Sequence, residues 1–308
     1  MREPHSAVRV ESPTEEVNPR TVDIDIVPTS ELLRMLHAED AQVPAAVAHA
    51  LPVLARVVDE AVARAQAGGR VHYFGAGTSG RLAVLDAAEL LPTFGMDDGL
   101  VVAHQAGGDA AFNRPVEEAE DDEATAASDA AEVTAADLVI GLTASGRTPY
   151  VGRSLAVARA AGACTVLVSS NPAPELTEVA DHVVIAPTGP EAITGSTRLK
   201  AGTAQKLILN AFSTALMVRL GRTYRNLMVD LRPTNAKLRG RSVELLVQAT
   251  GNDTATCRTA LDRCGDLKTA LLCLLADPAG DLDDAAIARG RAALATSGGR
   301  IRDALALL

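Results

Sequence analysis

The chain has 308 residues, 47% of them apolar but only 2% aromatic, no Trp, and a formal net charge of −10. That length holds one large domain and a smaller part, with a core built from Ala, Val, Leu and Ile. The acidic balance argues against a general binder of nucleic acid or anionic membranes, so an anionic ligand would need a local positive field.

Residues 1–28 are polar, contain proline and show no period, which reads as an arm. They include no apolar stretch of the secretory type, and no apolar run is read as approaching the ~20 residues of a membrane helix. The expectation is a soluble, cytoplasmic protein. Pro28-Thr29-Ser30 offers a helix start, with Glu31 in its first turn. Val47, Leu51, Leu54, Val57, Val58 and Val62 recur at helical spacing and predict a helix over 43–66, which Gly68-Gly69 ends. Pro52 marks a place for a bend.

An alternation follows. Strands are predicted at 71–74, 100–103, 137–143, 165–169 and 182–186, and helices at 81–90, 115–132 and 150–161. β-Branched strands alternating with helices predict an α/β fold, an αβα sandwich around a parallel sheet. Ligands in such sheets sit beyond the carboxyl ends of the strands. A long helix is expected over 199–220. Beyond Pro233 the strand signal ends, and 235–249, 254–263, 266–276, 283–294 and 299–308 read as short helices. The expected organisation is an arm at 1–28, a ligand-binding α/β domain at 29–230 and a helical subdomain at 231–308. Cys164, Cys257, Cys264 and Cys273 form no CxxC pair and stand beside no His cluster, so neither zinc nor disulfides are expected. His72 and His182 lie in strand patterns and read as packed residues.

Three hydroxyl-rich segments precede helices. Gly75-Ala76-Gly77-Thr78-Ser79-Gly80-Arg81 follows the first strand, Thr143-Ala144-Ser145-Gly146-Arg147-Thr148 the third, and Thr194-Gly195-Ser196-Thr197-Arg198-Leu199-Lys200 opens the long helix. Glycines let the backbone approach an anion, and helix N-termini present N–H donors. The first loop is neither a Walker A loop nor a convincing dinucleotide motif. A single such turn is a weak signal, and a lone surface Arg or Lys is ordinarily just solvated. Three of them in an acidic chain point to a small phosphorylated ligand. Candidate binding residues are Gly77, Thr78, Ser79, Gly80, Ser145, Gly146 and Thr148, with Ser196 and Lys200 as weaker ones.

These loops, in this order, resemble the sugar isomerase (SIS) domain. GAGTSGRLAVLDAAELLPTFG at 75–95, PVEEAEDD at 115–122, TASGRTPYV at 143–151, TGSTRLKAGTAQKLILNAFST at 194–214 and NLMVDLRPTNAKL at 226–238 narrow this to a resemblance to the N-acetylmuramic acid 6-phosphate etherases. The segment from Asn18 to Val43 is similar too, so the likeness covers nearly the whole chain. It implies a three-layer SIS sandwich with a helical C-terminal part, a homodimer, a sugar-phosphate substrate, and no metal or organic cofactor. The implied reaction turns the substrate and water into N-acetylglucosamine 6-phosphate and D-lactate. It puts a proton donor on Glu89 and a second catalytic glutamate on Glu120. The chain departs from the family at Leu90-Leu91, where Cys-Pro is usual, and at Asp109, where Glu is expected, which touches substrate positioning.

Without that resemblance both glutamates read as solvated charges, Glu120 within an acidic run. With it, two carboxyl groups in different protonation states suit an elimination in which one acts as base and the other as acid. Burial among Leu85, Leu90 and Leu91 is expected to disfavour the charged form of Glu89. Two rival readings share the fold: an aldose–ketose isomerase, distinguished by the absence of lactate release, and a non-catalytic sugar-phosphate sensor resembling glucokinase-regulatory proteins, distinguished by binding without turnover.

Overall fold

A computed structural model describes residues 12–96, 99–230, 236–280 and 282–308. The first eleven residues of the expected arm and 231–235 of the NLMVDLRPTNAKL motif lie outside the described residues. By internal contacts the chain divides into two units. One comprises Met1–Asp86 with Val101–Phe212, and the other Ala87–Leu100 with Ser213–Leu308.

The first unit holds a five-stranded sheet of β1 (Val71–Gly75), β2 (Val101–Gln105), β3 (Leu138–Leu142), β4 (Cys164–Ser169) and β5 (His182–Ile185). All four pairings are parallel, in the order β2-β1-β3-β4-β5. β1, β3 and β4 are buried along their length, as expected of parallel strands covered on both faces. Side chains alternate between the faces. Phe74, Val139 and Leu167 join one cluster with Tyr150, Val151 and Leu155 of α6 (Pro149–Ala160) and Ala126 of α5 (Glu123–Asp129). On the opposite face Tyr73 meets Phe212 of α7 (Lys200–Arg219) edge to face, and its hydroxyl donates to Asp86 on α3 (Gly77–Phe94). These helices on two faces complete the three-layer sandwich.

α1 (Thr29–Asp40) and α2 (Val43–Gln66) precede the sheet. α2 is continuous through Pro52, with Val43, Val47, Leu54, Val57 and Val58 buried. The expectation that no run reaches membrane length needs correction here. The stretch Thr29–Gln66 contains a window apolar and long enough to cross a bilayer, with 39% of it buried in the protein. A core helix passes the same test, and α2 packs on β3 and β5.

The acidic stretch at 115–132 differs from the single helix predicted. It is broken into a 3-10 turn at Ala119–Asp121 and the short α5. Glu118 has a left-handed backbone, φ 60°, which ends helical propagation. Asp122 then caps α5 by accepting from the Thr125 N–H at 2.9 Å. α4 (Ala110–Asn113) is a single turn after β2.

The second unit contains a two-residue hairpin, β6 (Thr223–Tyr224) with β7 (Leu227–Met228), that the sequence pattern did not indicate. Its helices are α8 (Ala236–Thr250), α9 (Thr254–Cys264), α10 (Leu267–Ala276), α11 (Asp284–Thr296) and α12 (Ile301–Leu305), close to the expected segments. Asp253, Asp266 and Asp283 cap three of them. Leu246, Cys257, Leu271, Leu272 and Ile301 form their core. All four cysteines are buried free thiols.

Candidate active site

The strand order reverses direction between β1 and β3, because β2 lies on one side of β1 and β4 on the far side of β3. At such a switch point the loops leaving the carboxyl ends part to opposite faces and leave a crevice between them. Gly75, the last residue of β1, pairs with Leu142, the last of β3. The first two phosphate-loop candidates therefore leave the sheet side by side.

The first loop is short because α3 begins at Gly77 itself. The backbone N–H groups of Gly77, Thr78 and Ser79 meet no acceptor among the described residues. These are the unfilled donors of a helix N-terminus, and they carry its partial positive charge. Gly80 closes the turn against the sheet. A Cβ there would lie 2.5 Å from the Gly75 carbonyl oxygen and 2.4 Å from Gln105 Oε1. Gly80→Ala is accordingly expected to lower the affinity for inorganic phosphate and the melting temperature together. Titration calorimetry and thermal unfolding would check this, and unchanged values in both would refute the close approach.

The second loop is organised around Thr143, a residue the sequence reading did not single out. Its hydroxyl lies 2.8 Å from Thr148 Oγ1 and 3.3 Å from Ser145 Oγ, and it accepts from the Gly146 N–H at 3.2 Å. Asn171 Nδ2 donates to the Ser145 carbonyl at 2.9 Å. Gly146 has φ +76°, and a Cβ on it would lie 2.3 Å from Pro174 Cβ, so glycine is required there on two counts. Ser145 and Thr148 remain half-buried at the mouth of the loop.

The third segment behaves differently from expectation. Its helix N-terminus is already occupied by an internal anion. Glu191, fully buried, accepts the N–H groups of Lys200 and Ala201 at 2.9 Å each. Burial pushes the Glu191 carboxyl up, and those two N–H groups and the Lys200 ammonium pull it back. Lys200, expected among the phosphate ligands, is 1% exposed, and its Nζ donates to Glu39 Oε2 at 2.7 Å. Its charge is thus committed inside the protein, because a buried ammonium requires a partner. Ser196 is half-buried in the loop. Gly195 N–H donates to the Thr14 carbonyl, which ties this loop to the start of the chain. Gly202, in the first turn of α7, packs against Thr78, and a Cβ added to it would lie 3.3 Å from Thr78 Cγ2.

Glu120 is brought to the first loop. A cleft of about 230 Å³ is lined by Ala76, Gly77, Arg81, Gln105, Ala106 and the segment from Pro115 to Glu120. The turn that follows Glu118 carries Glu120 into this lining, where the carboxylate is exposed. Arg81 braces the cleft by donating to the carbonyls of Ala111 at 2.7 Å and Phe112 at 3.1 Å. Gln105, which no sequence motif singled out, is almost fully buried where it lines the cleft. Glu89 is not in this lining. It is exposed on the part of α3 assigned to the second unit. The apolar burial expected around it is not formed, for Leu85 and Leu91 are about half exposed and only Leu90 is buried.

A second cleft, of about 520 Å³, borders β2 and includes His104, Gln105, Asp109 and Asp129. His72 Nδ1 lies 3.1 Å from His104 Nε2, and the His104 ring stacks on Phe74 at 4.2 Å. Burial lowers both imidazoles, His104 to about 4. His72 is thus a packed core residue, as its strand position suggested.

A five-stranded parallel sheet between helices, with a helix N-terminus and a hydroxyl-rich loop side by side at its switch point, defines a protein of the SIS fold class. A model of the glucokinase regulatory protein N-terminal SIS domain matches residues 53–159, and the SIS domain model matches 110–215. A phosphoheptose isomerase from Francisella tularensis shares the fold over 62% of this chain and 100% of its own, with a TM-score of 0.50 and 17% identity. The sequence is 59% identical over 268 residues to the N-acetylmuramic acid 6-phosphate etherase of Thermobifida fusca, covering 86% of this chain and 88% of that one. It is 48% identical over 298 residues to the enzyme of that name from Streptomyces coelicolor, covering 95% and 93%. The chain belongs to the N-acetylmuramic acid 6-phosphate etherase family, a family of enzymes.

Proposed function

We propose that this protein cleaves the D-lactyl ether of N-acetylmuramic acid 6-phosphate, as a carbon–oxygen lyase, to give N-acetylglucosamine 6-phosphate and D-lactate. The observation that carries the substrate is the 59% identity to an etherase along 86% of the chain. The phosphate is an anchor in this scheme, held by the donors of Gly77, Thr78 and Ser79 and by the Ser145–Thr148 loop, and its binding energy orients C2 and C3.

An ether at C3 is unreactive until the sugar ring opens. C2 then lies next to an aldehyde, and its proton becomes acidic. Glu120 takes that proton as base, the C3–O bond breaks, and the departing lactate oxygen takes a proton from a general acid, the role that the family resemblance gives to Glu89. Water adds at C3 of the resulting unsaturated aldehyde and a proton returns to C2, so the two glutamates end as they began. A homodimer is part of the proposal. Leu85 and Leu91 leave apolar surface on α3 that a second subunit would cover, and sedimentation of the purified protein tests this.

The reaction in oxygen-18 water is expected to release D-lactate and place label on C3 of the sugar. Lactate without C3 label would overturn elimination and hydration, and a labelled carboxylate is not expected.

A further inference from the structure

Gln105 carries an unmet hydrogen-bonding demand at the candidate site. It ends β2, is 7% exposed, and lines the same cleft as Gly77 and Glu120. Its Nε2 reaches the carbonyls of Gly77 at 3.4 Å and Ala106 at 3.5 Å, both at the long limit for such bonds. Its Oε1 is buried and has no hydrogen-bond partner among the described residues. Buried acceptors left in that state are uncommon and unfavourable. The terminal amide torsion of glutamine is broad, so the group turns readily once something better is offered. It packs directly against the first loop, where a Cβ on Gly80 would lie 2.4 Å from Gln105 Oε1.

The neighbouring side chains make a neutral acceptor the useful kind. Glu117, Glu118 and Glu120 already line the cleft, and another carboxylate would repel a phosphorylated ligand. An amide oxygen accepts a hydrogen bond without adding charge.

We infer that Gln105 is a substrate-reading residue whose amide oxygen accepts a hydrogen bond from the sugar part of the ligand, from a hydroxyl or from the acetamido N–H. This rests on the proposed function for the identity of the sugar phosphate. Gln105 orients the sugar, while the loops hold the phosphate.

The test compares wild type and Gln105→Leu for binding of inorganic phosphate, glucose 6-phosphate and N-acetylglucosamine 6-phosphate by calorimetry, after thermal unfolding confirms the fold. Affinity for N-acetylglucosamine 6-phosphate is expected to fall roughly tenfold, with inorganic phosphate unchanged. A loss confined to the acetamido sugar assigns the N–H as donor, and a loss shared by glucose 6-phosphate assigns a hydroxyl. Equal losses for inorganic phosphate would show that Gln105 merely supports the loop and overturn the inference, as would no loss for any ligand. If the leucine variant does not fold, Gln105→Met runs the same comparison. Lactate release by the wild type is read separately: no release, with sugar-phosphate binding still dependent on Gln105, would sink the proposed reaction and leave this inference standing.

Discussion

Glu120→Gln is expected to bind N-acetylglucosamine 6-phosphate about as well as wild type and to lose lactate release by roughly 10²–10⁴-fold. The substitution keeps the shape of the side chain and its place on the turn at Ala119–Asp121. It removes the negative charge, which does not weaken the hold on a phosphorylated ligand, and with it the capacity to accept a proton. In the proposed scheme ground-state binding rests on the N–H donors at Gly77–Ser79, which the change does not touch. The effect should therefore fall on kcat and kcat/KM alike, the mark of an interaction made only in the transition state. Glu89→Gln is expected to behave similarly, because an amide is no proton donor of useful strength to an alkoxide. Steady-state lactate release together with calorimetric binding checks both variants. A wild-type rate in either would remove that glutamate from the mechanism.

Lys200→Met should destabilise the protein by about 3–5 kcal/mol. Lys200 and Glu39 are each nearly inaccessible, at 1% and 3% exposure. Glu39 also accepts from Arg20 Nη2 and Asn18 Nδ2, both at 2.8 Å. This network joins the start of the chain, α1 and α7. Removing the ammonium leaves a buried carboxylate short of a partner, while the paired double change Glu39→Leu with Lys200→Met should recover much of the loss. The side-chain bond from Arg20, with further help from Lys200 and Asn18, outweighs burial and holds the Glu39 carboxyl at about 2 instead of 4.5. A depressed carboxylate stabilises the fold above its unfolded value and loses that contribution as pH falls from about 4.5 to about 2. The difference corresponds to roughly 3 kcal/mol. Urea unfolding at pH 7 and across pH 5 to 3 measures both effects. A Lys200→Met variant with wild-type stability at pH 7 would show that the pair contributes nothing.

Most of the architecture could be read from local patterns. β-Branched runs of five residues, glycine turns and helical spacing are near-neighbour properties, so β1, β3, β4, α2 and α7 fell within a few residues of where their sequences put them. The breaks in that reading have physical causes. The acidic stretch at 115–132 has helix-forming composition, but the left-handed backbone at Glu118 and the Asp122 cap divide it. The hairpin at Thr223–Met228 is too short to carry a strand signal.

The opening glycine loop and the hydroxyl loop at Ser145 were legible in the sequence as candidates because the donors of each are contiguous residues. So was the family, from motifs spread along nearly the full chain. Which charges face a ligand was not. Lys200 has the composition of a phosphate ligand, yet it turns inward to Glu39, 161 positions away. Glu191 fills the helix start that a ligand was expected to fill. Gln105 acquires its place only when β2 pairs with β1 and Gly80 closes over it. The sequence by itself determined the order of strands, loops and helices, because those follow from local backbone preference and hydrophobic period. The tertiary structure alone decided which polar groups are spent on one another and which remain for a ligand, because burial makes that pairing obligatory and acts between residues that no local pattern connects.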